Sequence, residues 1–133
     1  MSQPRRVRWI VIAAVALGSA SCSRQDQRLQ QHREKFESLG ASTAAIGEAW
    51  LAGSTSGTYT TTALQQTLLL VEQERCALAS TPDALLDSRG AELSQAAERL
   101  SRLIAAMMHD VGAADAASLR QHLTKIPIAP ESR

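Results

Sequence analysis

Leu93, Ala97, Leu100, Ile104, Met107 and Val111 recur at intervals of 4, 3, 4, 3 and 4 residues. That spacing limits what the chain can fold into. At 3.6 residues per turn it lays six apolar side chains along one stripe of a helix, whereas a strand would divide them between two faces. Glu92, Gln95, Glu98, Arg99 and Arg102 fall on the opposite side. The pattern predicts an amphipathic helix over about 89–111 that needs a core to face. Glu98 and Arg102, four residues apart, add a few tenths of a kcal/mol at most.

Two earlier segments repeat the theme. Leu29, His32, Phe36, Leu39, Thr43, Ile46 and Trp50 trace a 3–4 spacing that predicts a helix over about 24–51. Gly40 and Gly47 each weaken it by about 1 kcal/mol relative to Ala and suggest a kink near 40–43. The turn formers Gly53-Ser54-Thr55-Ser56-Gly57 break the chain. A second helix over about 59–79 follows, with Thr58 as its expected cap and Leu64, Leu68, Val71, Arg75 and Leu78 along one face. Leu69 and Leu70 widen its apolar surface to two sides, which predicts a middle helix covered on both.

Ser80-Thr81-Pro82-Asp83 is the next interruption. Thr81 suits a cap and Pro82 a first helical position, so a short turn over Asp83–Leu86 is expected, with Gly90 separating it from the third helix. Gly112 closes that helix, and Asp115 can cap a short one over about 116–123. Pro127 and Pro130 exclude regular helix from the tail, which should be irregular from about 125. Only Trp9, Trp50, Phe36 and Tyr59 are aromatic, so a core must be built from Leu, Ala, Ile, Val and Met. These observations predict an all-α domain over 22–133, a three- to four-helix antiparallel up-down bundle.

Residues 1–21 have a different character. Arg5, Arg6 and Arg8 precede Trp9-Ile10-Val11-Ile12-Ala13-Ala14-Val15-Ala16-Leu17, and the uncharged run ends by Ala20 after 12 residues. A membrane-spanning helix needs about 20, so the segment reads as a cleaved export signal. Ser21-Cys22 resembles the end of a bacterial lipoprotein signal, in which the cysteine is lipidated and becomes the first residue. Ser19 departs from the Leu usual three positions before that cysteine. Gly18 and Ala20 alternatively suit an ordinary signal, cleaved after Ala20 to release a soluble periplasmic protein. The lipoprotein resemblance implies membrane attachment through Cys22, and Ser23 after it implies the outer membrane or cell envelope as the destination.

Charge excludes one class of partner. Three of the 14 basic residues and none of the 13 acidic ones lie in residues 1–21, so the remainder is slightly acidic. It lacks the basic stripe that nucleic-acid binding requires. Neither a Gly-x-Ser-x-Gly elbow nor a glycine-rich phosphate loop occurs, and Glu72 and Glu74, two apart, cannot share a helical face as an acid–base pair. No enzyme activity and no cofactor are expected. Met107-Met108-His109 is the one cluster that suits a metal, copper or zinc, although Met107 is already a seam position. A bridge between Cys22 and Cys76 would span about 18 Å along antiparallel helices, which disfavours it and leaves Cys76 as a small buried hydrophobe. The expectation is a small exported envelope protein acting as a protein-interaction or structural module, with a protein partner or homodimer to cover its apolar faces. A periplasmic small-ligand or metal-binding sensor using Met107, Met108 and His109 is the alternative.

Overall fold

The computed structural model describes residues 4–127, with side chains described from Arg24 onward. Every regular element among them is helical: α1 (Pro4–Leu51), α2 (Gly57–Ser80), a single 3-10 turn (Ala84–Leu86), α3 (Ser88–Gly112) and α4 (Ala116–Leu123). The expected boundaries at Leu51, Ala116 and Leu123 are met. The backbone of α1 continues N-terminally past residue 24 without a break. The side chains of residues 1–23, Cys22 among them, lie outside the described residues, as does the backbone around Pro130.

Local chemistry explains where the helices stop. Gly53, at φ +74°, takes the left-handed conformation after α1, and the Ser54 N–H reaches back to the Ala49 carbonyl at 2.9 Å. This is the Schellman arrangement that glycine permits without strain. Ser56, rather than Thr58, caps α2, its hydroxyl accepting from the Tyr59 N–H at 3.2 Å. Asp87 caps α3 by accepting from the Arg89 N–H at 2.9 Å, and Asp115 caps α4 as expected, accepting from the Ser118 N–H at 3.0 Å. Thr81 does not start the turn that follows; it is the C-cap of α2, its N–H donating to the Leu78 carbonyl and its hydroxyl to the Ala77 carbonyl.

Pairings across the helices fix their alignment. Gln25 reaches the Asp83 carbonyl, His32 and Lys35 reach Glu74, and Leu39 lines a groove with Leu70. Along that series α1 ascends as α2 descends. Between α2 and α3, Gly57 lies against Val111 and Glu72 bonds Ser101. Between α1 and α3, Asp26 pairs with Arg89 and Gly47 abuts Met107. The α2–α3 contact is the most extensive, and α4 closes over α3 and α1.

The core fills the space between these seams. Leu29, Phe36, Leu64, Val71, Leu78, Ala97, Leu100, Ile104, Met107 and Val111 are buried, joined by Leu119 from α4. Burying a side chain of the Leu, Ile or Met size contributes about 1.5–3 kcal/mol. Thr43, Thr60 and Thr67 are also buried, and each returns its hydroxyl hydrogen to a carbonyl one turn back, so no polar group is stranded.

The structure corrects three readings of glycine and leucine. Gly40 and Gly47 do not interrupt α1. They are notches: a Cβ on Gly47 would sit 2.9 Å from both Leu123 and Met107, and one on Gly40 would meet Ile126 at 3.6 Å. Through them α4 and the buried Ile126 of the irregular tail dock on α1. Gly90 is no separator either. It lies inside α3, where a Cβ would collide with the Ala84 carbonyl of the 3-10 turn. Leu69 and Leu70, expected between neighbouring helices, are 58% and 51% exposed.

Candidate functional site

Two polar clasps tie the helices together. On α1, His32 points into the seam toward α2, where its Nδ1 pairs with Glu74 Oε1 at 2.5 Å and its Nε2 with Thr81 Oγ1 at 3.1 Å. Lys35, one turn along α1, faces the other Glu74 oxygen at 3.4 Å. Glu74 is buried, so these partners supply the interactions its carboxylate loses from water. The second clasp joins α4 to α3: His122 Nδ1 meets the buried Asp110 at 2.5 Å. Among the described residues, every buried side-chain nitrogen and oxygen has a partner.

Carboxylate, imidazole and hydroxyl in series is the order found in nucleophilic catalysis. In this chain the Thr81 hydroxyl hydrogen is committed to the Ala77 carbonyl at 3.0 Å. The neighbouring groove, about 280 Å³, is lined by Lys35, Ser38, Leu39, Leu70, Gln73 and Glu74. It therefore opens beside the carboxylate and not over Thr81. The arrangement works as a clamp holding the end of α2 against α1.

Glu72 and Glu74 diverge as their spacing required. Glu72 turns to α3, accepting from the Ser101 hydroxyl at 2.6 Å and from Arg75 at 2.8 Å. The Ser101 hydrogen bond, then the Arg75 hydrogen bond, hold its carboxyl below the usual carboxylate range. With Arg75 bound to Glu72 and Glu74 bound to α1, all three charged side chains of α2 are engaged by helix neighbours.

Glu72 and Arg75 nevertheless keep 46% and 32% of their side chains open to solvent, and the remaining exposed positions of α2 are uncharged. Its exposed positions include Tyr59, Thr62, Gln66, Leu69, Leu70, Gln73 and Cys76. By contrast, Arg28, Arg33, Glu34 and Glu48 are exposed on α1, and Glu92, Glu98, Arg99 and Arg102 on α3. Cys76 is a free, exposed thiol, not the small buried hydrophobe expected of it. A surface depleted of charge and holding exposed leucines is the kind on which interfaces form.

The residues singled out in the sequence are dispersed. Met107 is fully buried against Gly47, Met108 is half-buried and His109 is exposed. Consecutive helical residues diverge by about 100°, and the structure does not bring the three to one face. Asp110, the next residue after His109, turns to His122. Among the described residues no group of three or more His, Cys, Asp or Glu is placed to hold a metal ion. Cys22 lies outside the residues whose side chains are described. Periodicity had identified His32 as a seam residue, but Glu74, Asp110 and His122 carried no local signal.

No family model, curated protein or solved structure matches the chain.

Proposed function

We propose that this chain is a small exported envelope protein, lipid-anchored through Cys22, whose helices form an antiparallel up-down bundle serving as a protein-interaction or structural module. The observation that carries the reading is the composition of one end of the bundle. Gln25 and Asp26 of α1 contact Asp83 and Arg89, which bracket the 3-10 turn. Leu85 and Leu86 of that turn are exposed, Leu86 at 84%. Cys22 precedes Gln25 by three residues, about 4.5 Å of helical rise. Two solvent-facing leucines thus stand at the end where the lipid would attach, as suits a surface resting on a membrane interface. From there α1 reaches about 40 Å to Leu51 and carries the bundle outward.

Among the described residues no helix is long and apolar enough to cross a membrane, so attachment in this reading depends on the lipid. Fractionation of bacteria expressing the full chain tests it. The protein should sediment with membranes and require detergent for release, and Cys22→Ser should transfer it to the soluble or unprocessed fraction. A wild-type chain found wholly in the soluble periplasmic fraction would contradict anchoring.

A further inference from the structure

The turn that joins α2 to α3 is pinned to both α1 and α3, yet its two largest side chains are left in water. Ala84 is fully buried, its carbonyl in the notch of Gly90. Gln25 donates to the Asp83 carbonyl, and Arg89 bonds both Asp26 and Asp87. Leu85 and Leu86 follow Ala84 directly and are 45% and 84% exposed. The turn is therefore held by Ala84 and by polar contacts, and the leucines stand outside the core. A fixed turn that displays two adjacent leucines is preorganised to bury them against something else.

The position of the turn selects the occupant. Gln25 and Asp26, which contact it, lie three and four residues after Cys22, and α1 is continuous through that point. The rise from Cys22 to Gln25 is about 4.5 Å. Apolar faces of interfacial elements enter about 5–10 Å into the boundary between headgroups and acyl chains. A turn level with Gln25 is thus within reach of the surface in which a lipid on Cys22 would sit. We propose that Leu85 and Leu86 insert into the lipid surface beside the Cys22 anchor, as a second attachment that fixes the tilt of the bundle. The proposal rests on the reading of Cys22 as the anchor and adds that the folded bundle itself has a membrane-binding end.

The chemistry recognised is apolar. Over residues 24–28 and 83–89, Arg24, Arg28 and Arg89 balance Asp26, Asp83 and Asp87. Arg89 is in addition paired with Asp26 and Asp87. No surplus of basic charge stands there to attract anionic headgroups, so the contact depends on the leucines and not on lipid charge. A protein partner is disfavoured by place, because the turn stands at the anchored end and not at the end that α1 carries outward.

Fluorescence quenching from within the bilayer tests the contact in the full chain. The protein is expressed in bacteria in a Cys76→Ser background, purified in mild detergent and reconstituted into phosphatidylethanolamine–phosphatidylglycerol vesicles. Ser88→Cys, exposed beside the turn, and Ser54→Cys, exposed at the opposite end, each carry the fluorophore. Phospholipids spin-labelled near the top of the acyl chain should quench the residue-88 probe several-fold more than the residue-54 probe. Leu85→Ser with Leu86→Ser should remove most of that quenching while the protein stays with the vesicles. Helical circular dichroism should not change, because both leucines are exposed. Added salt should leave the quenching in place, since screening acts on charge and not on apolar burial.

Residue 88 quenched no more than residue 54, or as strongly in the double Ser variant as in the parent, would overturn the insertion and leave lipid anchoring intact. Quenching abolished by salt would assign the contact to headgroup charge and overturn the apolar turn. A residue-88 probe unquenched in vesicles, with the same thiol shielded from a bulky reagent in cells, would give the turn to a protein partner instead. Cys76→Ser alone should take up no fluorophore, because the Cys22 sulfur carries the lipid. Labelling of that variant would overturn the anchor, and the turn contact with it.

Discussion

At the scale of single residues, the structure places its most exacting demands where two backbones meet. Gly90 is required because the Ala84 carbonyl occupies the space a side chain would fill. In an open helix, Gly→Ala raises stability by up to about 1 kcal/mol. Here, crowding against backbone reverses the sign, and Gly90→Ala should destabilise by about 2–3 kcal/mol in urea unfolding. Glu74 is exacting for a different reason. It is buried, and His32 and Lys35 are its partners. Glu74→Ala should cost about 2–3 kcal/mol because a half-buried imidazole is left without its acceptor. Unchanged urea midpoints for either variant would show that the α3 notch or the α1–α2 clasp is absent in solution. Neither demand was legible in the sequence. Gly90 looked like punctuation, and Glu74 was one of two acids near a helix end. What decides both is the register between helices, which local spacing does not encode.

At the scale of elements, periodicity served the sequence reading well. The 4-3-4-3-4 series in α3 lies on the core side, with Ala97, Leu100, Ile104, Met107 and Val111 buried. Boundaries marked by Gly53 and Asp115 fell where turn and cap chemistry put them. Leu69 and Leu70 misled, because apolar character shows what can be buried but not whether a neighbour is present to bury it. The end of α3 holds a local strain that the sequence hid. Gly112 stays helical, and the left-handed position belongs to Ala114, at φ 53°. Left-handed backbone disfavours a Cβ by about 1–2 kcal/mol. Ala114→Gly should therefore stabilise the protein, by about 1 kcal/mol after the added flexibility of the unfolded chain is counted. A lower thermal midpoint for Ala114→Gly would mean that this turn does not hold in solution.

Helix-end and cross-helix carboxylates also set the response to acid. Ser101 and Arg75 lower Glu72, Arg89 lowers Asp87, and the Ser118 N–H and hydroxyl lower Asp115. A carboxyl depressed in the folded state contributes stability above its unfolded value, near 4, and loses it as pH falls through the folded value. The thermal midpoint should thus fall from about pH 5 downward. Glu72→Gln should lower stability at neutral pH and reduce the steepness of that fall. A midpoint that rises on acidification would contradict these pairings.

At the scale of the whole molecule, the two ends and the outer faces have separate characters. Charged residues of both signs are exposed along α1 and α3, whereas on α2 the solvent-facing charge is confined to the Glu72–Arg75 pair. The end near residue 25 carries exposed leucines on a turn pinned by Arg89, which bonds both Asp26 and Asp87. Helix formation and the apolar seams were legible because they repeat within each segment. The inward turn of Glu74 was not, because only its contacts with His32 and Lys35 on α1 produce it. In the proposed reading the lipid on Cys22 attaches one end of the bundle to a membrane and leaves its outer faces free to associate. The most direct test of that reading is the intact mass of the mature protein isolated from a bacterial host. A chain beginning at Cys22 and carrying a diacyl or triacyl addition, lost in Cys22→Ser, is the predicted result. An unmodified chain beginning at Ser21 would contradict it.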